Sequence, residues 1–414
     1  MAASAAFAIR TGIAAFTLHA SVAAAQTPDV SGPLNYAQAL DLAISRNLNV
    51  EAARRQRAIR QATIRSRTAR LIPNPGLSVE LTQDVPHQAV SVDVPIEVGG
   101  KRARRIELAQ AELTLADLDV QAELRAVRRE LRQTFYTLIA ADERVRLADS
   151  LLDISRRVRD AAQARFETGA APRLEVMQAD LGVTRAETDL ELAQAARVAA
   201  QATLNAVLNQ PPRNALVVAG GLSDDVAPIG YEEALAIATT SNVDLVSLDR
   251  QMTIEARRLE LLRAERTPTP VVSAGGLFNS PGEFSSASRV AVSVGLPIFS
   301  RNQGEIAGSI ATTAQLRTRR EATLRTIENA VYGTVARIDA ERRQVEAYEQ
   351  RLVPTATNLE MLAEESYRAG RSSVLSLLDA QRSLRDLRRE ALQAALDLQI
   401  SMAELEEILG TSVR

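Results

Sequence analysis

The chain has 414 residues, no cysteine, no tryptophan and a formal net charge of -2, with charged residues at 24% and aromatics at only 3%. The absence of cysteine excludes disulfides, thiolate metal sites, a cysteine nucleophile and a lipid anchor on an N-terminal cysteine. A balanced charge leaves no basic face that calls for nucleic acid, and the dominance of Ala, Leu, Arg, Glu and Gln is that of long helices.

At the N-terminus, a short apolar stretch from Thr11 to Leu18 follows Arg10, and Val22-Ala23-Ala24-Ala25 offers small residues for cleavage. This predicts a secretory signal over residues 1–25. No later run of 18 apolar residues follows, so no membrane-spanning helix is expected. Tyr36 to about Arg70 reads as one helix, with Leu40, Ala43, Ile44 and Val50 at helical spacing. Pro73-Asn74-Pro75-Gly76 ends it. Leu77, Val79 and Leu81 then alternate with Ser78, Glu80 and Thr82, and Val90, Val92 and Val94 with Ser91 and Asp93, which predicts two strands.

From Lys101, the only lysine, to Glu167 neither Pro nor Gly interrupts the chain. Such a helix is about 100 Å long at about 1.5 Å per residue. Leu124, Leu131, Leu138, Val145 and Leu152 recur every seventh residue along it, the seam of a supercoiled helix pair. Gly169 and Pro172 turn the chain, and Arg173 to about Asn209 runs back as an Ala-rich helix.

The same order then returns. Leu34-Asn35-Tyr36-Ala37-Gln38-Ala39-Leu40 reappears as Ile229-Gly230-Tyr231-Glu232-Glu233-Ala234-Leu235, Val92-Asp93-Val94-Pro95-Ile96 as Val294-Gly295-Leu296-Pro297-Ile298, and Phe166-Glu167-Thr168-Gly169 as Tyr367-Arg368-Ala369-Gly370. A period of about 200 residues is too long for a solenoid unit and marks a duplicated half. The second half predicts a helix from Tyr231 to about Arg266, a break at Pro268-Thr269-Pro270, strands at Val271–Phe278 and Arg289–Ile298, and long helices from Gln303 that turn at Gly370. Its seam is Leu324, Val331, Ile338, Val345 and Leu352, and Pro354, which has no mate in the first half, predicts a kink. The expected division is a signal at 1–25, repeats at 26–210 and 229–414, and a linker at 211–228.

Strands with one apolar and one polar face can stand between lipid and water when they close into a barrel. One chain supplies about four, whereas the smallest outer-membrane barrels need eight, so a barrel would be shared among chains. Short strands capping a soluble helical hairpin would look the same locally, which keeps a soluble coiled-coil scaffold open as the reading from another class. Phe278, Phe284 and Phe299 are the few candidates for an interfacial aromatic belt.

The duplicated order of helix, strand pair, long helix, Gly turn and helix resembles the TolC family of outer-membrane efflux proteins over nearly the whole chain after the signal. Val94-Pro95-Ile96-Glu97-Val98-Gly99-Gly100-Lys101-Arg102, with Ile106-Glu107-Leu108-Ala109 behind it, is similar to the strand-to-helix junction of the branch serving heavy-metal (cobalt-zinc-cadmium) resistance pumps. The resemblance implies a mainly helical fold with a small β part, a long-helix α-barrel and four transmembrane strands per chain that close as a homotrimer of 12 strands. It implies an outer-membrane location with a periplasmic extension, lipid around the barrel, and a periplasmic adaptor and an inner-membrane RND pump as partners. The implied function is a passive exit duct for divalent heavy-metal cations, with drug efflux and type I protein secretion as alternatives within the fold.

It also assigns roles. Phe166, Gly169, Tyr367 and Gly370 mark the two turns at the periplasmic tip, where the family meets its adaptor. Asp379 matches a position that forms an acidic ring when three chains meet, while Ser376 occupies one that is acidic in the best-known member. Ser376 and Asp379 are three residues apart on one helix face, and Glu175 and Gln178 are their first-half counterparts. Glu175 matches a carboxylate that holds neighbouring helices shut, Tyr367 the aromatic member of that network, and Arg371 is the candidate basic partner because Ser372 stands at the usual basic position. Nothing points to catalysis or a cofactor: His19 and His87 are isolated, and no phosphate-binding loop lies between a strand and a helix.

Overall fold

The computed structural model describes residues 32–68, 74–83, 88–223, 228–278 and 286–412. The signal segment, His19, His87, Pro281-Gly282 and Phe284 lie outside the described residues.

Each half runs through the same elements. The first comprises α1 (Tyr36–Arg46), α2 (Leu48–Arg67), β1 (Gly76–Leu81), β2 (Gln88–Pro95), α3 (Lys101–Glu167) and α4 (Arg173–Val207). The second comprises α5 (Tyr231–Ser241), α6 (Val243–Ala264), β3 (Pro270–Phe278), β4 (Ser286–Val294), α7 (Gln303–Ala347), a π-helical turn (Tyr348–Leu352), α8 (Val353–Arg368) and α9 (Val374–Leu409). Among the described residues no helix is long and apolar enough to cross a membrane, which says nothing of strands.

The single opening helix expected in each half is two helices, broken at an asparagine. Asn47 leaves the helical conformation with ψ of 127°, and its side-chain oxygen accepts from the backbone N–H groups of Asn49 and Val50, capping α2. Its amide nitrogen reaches Val207 O at the end of α4, at 3.4 Å. Asn242 repeats the device: it caps α6 through Asp244 and Leu245 and donates to Ile408 O near the end of α9, at 2.8 Å. One side chain thus satisfies a helix start and a carbonyl at a helix end, groups that a helix alone leaves unpaired.

These short helices pack on the middle of α3, on α7 and on the last turns of α4 and α9. Leu131, Phe135, Tyr136 and Leu138 of α3, Leu204 of α4, Val331 of α7 and Met402 and Leu405 of α9 form one buried core with Ala39, Ala43, Ala234 and Ala238. Tyr36, Phe135 and Tyr136 form an aromatic cluster with centroids 5.6 to 6.0 Å apart. Arg132 is buried over two of these rings; it donates to Gln399 Oε1 at 2.9 Å and pairs with Glu406 at 2.9 Å, tying α3 to α9. The linker joins here as well, with Leu34 N donating to Val217 O at 2.7 Å and Gln399 Nε2 to Leu222 O at 2.8 Å.

The seam holds at Leu131, Leu138 and Leu152, and at Val331, Ile338 and Val345, all buried. Leu352 departs from it and is 43% exposed. The cause is the π turn, which adds a residue to one turn and rotates every later position off the seven-residue register. It lies just ahead of Pro354, where a residue without an N–H interrupts α-helical bonding, and Val353 N donates instead to Tyr348 O. The interruption expected at Pro354 therefore takes the form of a widened turn.

The strands form one antiparallel sheet in the order β1-β2-β3-β4. The register sets Leu77, Val92, Ala274 and Val290 side by side, with Val94, Val272 and Val292 on the same face. The other face carries Ser78, Ser91, Asp93, Ser273 and Arg289. Leu77, Val79, Leu81, Val290 and Val292 are exposed, and among the described residues β1 and β4 are open edges. β4 ends at Val294 and not at Ile298 as expected, because Gly295 and Pro297 stop the ladder.

Candidate gate and docking tip

Far from the sheet, both hairpins turn by the same backbone device. At the end of α3, Gly169 N donates to Phe166 O at 2.9 Å and Ala170 N to Arg165 O at 2.8 Å; at the end of α8, Gly370 N donates to Tyr367 O at 3.0 Å and Arg371 N to Ser366 O at 2.9 Å. Gly169 and Gly370 take φ of 75° and 69°, the left-handed conformation that this Schellman closure requires. Ser373 then caps α9 by accepting from Ser376 N at 3.4 Å.

The hairpins meet around Tyr367. Its ring is 1% exposed and packs with Val158 and Ala162 of α3, Ala179 of α4, and Val374 and Leu377 of α9. Its hydroxyl donates to Glu175 Oε2 at 3.2 Å. The Arg165 guanidinium stands 4.6 Å from the ring centroid and donates from Nη1 to Tyr367 O at 3.2 Å. Burial raises the Tyr367 pKa above its ordinary 10.0, the neighbouring Glu175 charge raises it further, and Arg165 opposes both. At neutral pH the phenol is therefore a donor held between a carboxylate and a cation.

The structure brings Glu175 and Tyr367 together and adds Arg165, which the sequence did not single out. A signal was available: Ser366 occupies its place in the second half, so Arg165 is one of the positions at which the copies differ. The remaining candidates stand apart. Asp379 is exposed and 3.6 Å from Arg382, and Ser376 is exposed beside Ser373. Gln178 lines a cleft of about 190 Å³ between the hairpins, with Leu378, Gln381 and Arg382 across from it. Phe166 and Arg371 are exposed at the tip, and among the described residues no ion pair joins Arg371 to Glu175. No group of three or more His, Asp or Glu among the described residues is placed to hold a metal ion.

Two long hairpins closed on each other at one end, with a one-sidedly apolar sheet at the other, form the architecture of solved outer-membrane channels. Crystal structures of CusC superpose with a TM-score of 0.76 at 17% identity over 91% of this chain and 92% of that one. The outer membrane protein VceC of Vibrio cholerae superposes with a TM-score of 0.74 at 15% identity over 92% and 97%. The chain belongs to the outer membrane efflux protein family, whose model matches residues 39–210 and 248–411. It is 29% identical to the cobalt-zinc-cadmium resistance protein CzcC of Cupriavidus metallidurans over 92% of this chain and 91% of that protein. It is 26% identical to the nickel-cobalt-cadmium resistance protein NccC of Alcaligenes xylosoxydans xylosoxydans over 72% and 68%. It is an efflux channel of the outer membrane and not an enzyme.

Proposed function

We propose that the protein is the exit duct of a tripartite efflux system, in which three copies close a 12-stranded barrel and receive divalent heavy-metal cations from an inner-membrane RND pump through a periplasmic adaptor. The observation that carries the shared barrel is the four-stranded sheet with both edges unpaired and one face of exposed Leu and Val. An open apolar edge cannot stand in lipid, whereas β4 of one copy against β1 of the next removes every edge. The metal cargo is supported by the likeness to two metal-resistance proteins.

In this reading the tip carries the gate. Glu175, Tyr367 and Arg165 hold the two hairpins of one copy together, Arg371 contributes a second cation at the same level, and Asp379 from three copies forms a single acidic ring that Ser376 does not double. Phe166, Gly169 and Gly370 present the surface for the adaptor, whereas Tyr367, also expected there, is buried between the hairpins and cannot meet a partner. A second reading, export of a small organic molecule, is supported by 25% identity to the pyoverdine export outer membrane protein OpmQ of Pseudomonas putida over 75% of this chain and 67% of that protein. A deletion strain challenged with zinc, cobalt and cadmium, and separately with siderophore and drugs, decides between them. Sensitivity to the metals alone, restored by the gene, is expected; unchanged metal tolerance would overturn the metal reading.

A further inference from the structure

Exposed apolar residues continue along the chain past the end of β4. Val290, Val292 and Val294 are followed by Leu296 and Ile298, 67% and 61% exposed, and then by Phe299 at 92%. Arg266, just past α6, and Arg301, just ahead of α7, stand beside them. With Thr267, Leu296, Pro297 and Ile298 these arginines line a shallow depression of about 440 Å³. Arg301 Nε donates to Pro297 O at 3.1 Å, which orients the guanidinium and leaves its two Nη groups for another partner. Among the described residues no carboxylate pairs with Arg266 or Arg301.

The equivalent junction of the first half is built differently. Glu97 takes the place of Phe299 and pairs with buried Arg105, Ile96 N donates to Pro270 O at 2.8 Å, and Lys101 Nζ donates to Thr269 Oγ1. That junction is closed by its own acid and by the second half. Among the described residues, the second junction offers two cations and an apolar lip.

Resting on the outer-membrane reading above, we propose that this depression binds an anionic glycerophospholipid of the periplasmic leaflet. The phosphate lies on Arg266 and Arg301, whose planar donors suit phosphate oxygens in pairs. An acyl chain runs along Ile298, Leu296 and Val294 onto the lipid face of the sheet. Phe299 sits at the level where aromatic side chains mark a membrane boundary. Each basic residue near an anionic surface adds attraction, so the pair selects phosphatidylglycerol over phosphatidylethanolamine.

The test uses the full chain purified from outer membranes. Native mass spectrometry of the detergent-exchanged protein is expected to show retained phosphatidylglycerol, falling about tenfold in Arg266→Gln/Arg301→Gln and recovering in part in Arg266→Lys/Arg301→Lys. Inorganic phosphate added at the same stage is expected not to displace the lipid. In parallel, Phe299→p-benzoylphenylalanine irradiated in native membranes is expected to yield a lipid adduct. Equal retention in wild type and the glutamine variant, displacement by phosphate alone, or an adduct joining two copies of the chain would each overturn the site. Recovery of the wild-type chain outside the outer membrane would instead overturn the reading on which the site rests, and fractionation before purification separates that result from the others.

Discussion

The Tyr367 hydroxyl donates to Glu175 Oε2 across 3.2 Å, and this bond ties the outgoing helix of the second hairpin to the returning helix of the first. The two residues are far apart in sequence, so the bond forms only when both hairpins are in place, and it must break if the hairpins separate. Tyr367→Phe keeps the buried ring and its contact with Arg165 but loses the donor to a carboxylate, a loss of about 1.5 to 3 kcal/mol. Single-channel recordings in planar bilayers should show an open probability raised by about tenfold or more. Glu175→Gln, which still accepts, should move it less. An unchanged conductance in the phenylalanine variant would sink the lock.

Arg165 acts on the same ring, at a distance where a cation and an aromatic attract by about 0.5 to 2 kcal/mol. Arg165→Ala should raise conductance, and Arg165→Lys should restore part of the closure while losing the planar stacking. If Arg371→Ala opens the channel and Arg165→Ala does not, the basic member of the gate is Arg371 acting between copies.

Much of this fold was legible in the sequence, and the reasons are local. The bounds of α3 follow from Gly100 and from the uninterrupted run between Lys101 and Glu167. The strand faces follow from strict alternation at Val90, Val92 and Val94. Asn47 and Asn242 were not legible as breaks, because an asparagine inside an apolar helical pattern reads as a weak helix residue until its side chain is seen to cap the next turn. Both copies carry it at the same place, and the repeat itself was the unused signal. Arg165 was missed because its role depends on packing with a residue in the other half, which no local period reports.

The Tyr367 shift gives the lock a pH dependence of definite sign. Its pKa is raised above 10.0 in the folded chain, so the stabilisation it supplies is fully present below that value and is lost as pH rises through the higher folded value. Conductance should stay flat from neutral pH up to the ordinary tyrosine range and then rise. Tyr367→Phe should remove that alkaline limb, whereas a limb that persists in the variant would assign it to another group.

The single acidic ring proposed at the tip rests on Asp379, exposed one helical turn from Ser376. Asp379→Asn should lower the cation-to-anion permeability ratio measured from reversal potentials. Ser376→Asp should raise it by placing a second carboxylate on the same face. Because exposed charges are screened, both effects should shrink as salt is raised. A ratio indifferent to both changes would place Asp379 away from the ion path.

A last expectation concerns stability away from the gate. Glu341 lies between α7 and α9, and its Oε2 is buried without a hydrogen-bond partner. Burial raises its pKa, with the neighbouring Ser401 and the charge of Arg337 working in the opposite direction. A raised carboxyl contributes its stabilisation below the ordinary glutamate value and loses it as pH rises through the folded one, so at neutral pH the ionised side chain carries a cost. Glu341→Gln removes that charge at nearly the same size. The thermal midpoint at neutral pH should rise by about 2 °C, and the gap between variant and wild type should close as the medium is acidified. A midpoint that falls in the variant would show that the carboxylate is held by Arg337 more strongly than burial opposes it.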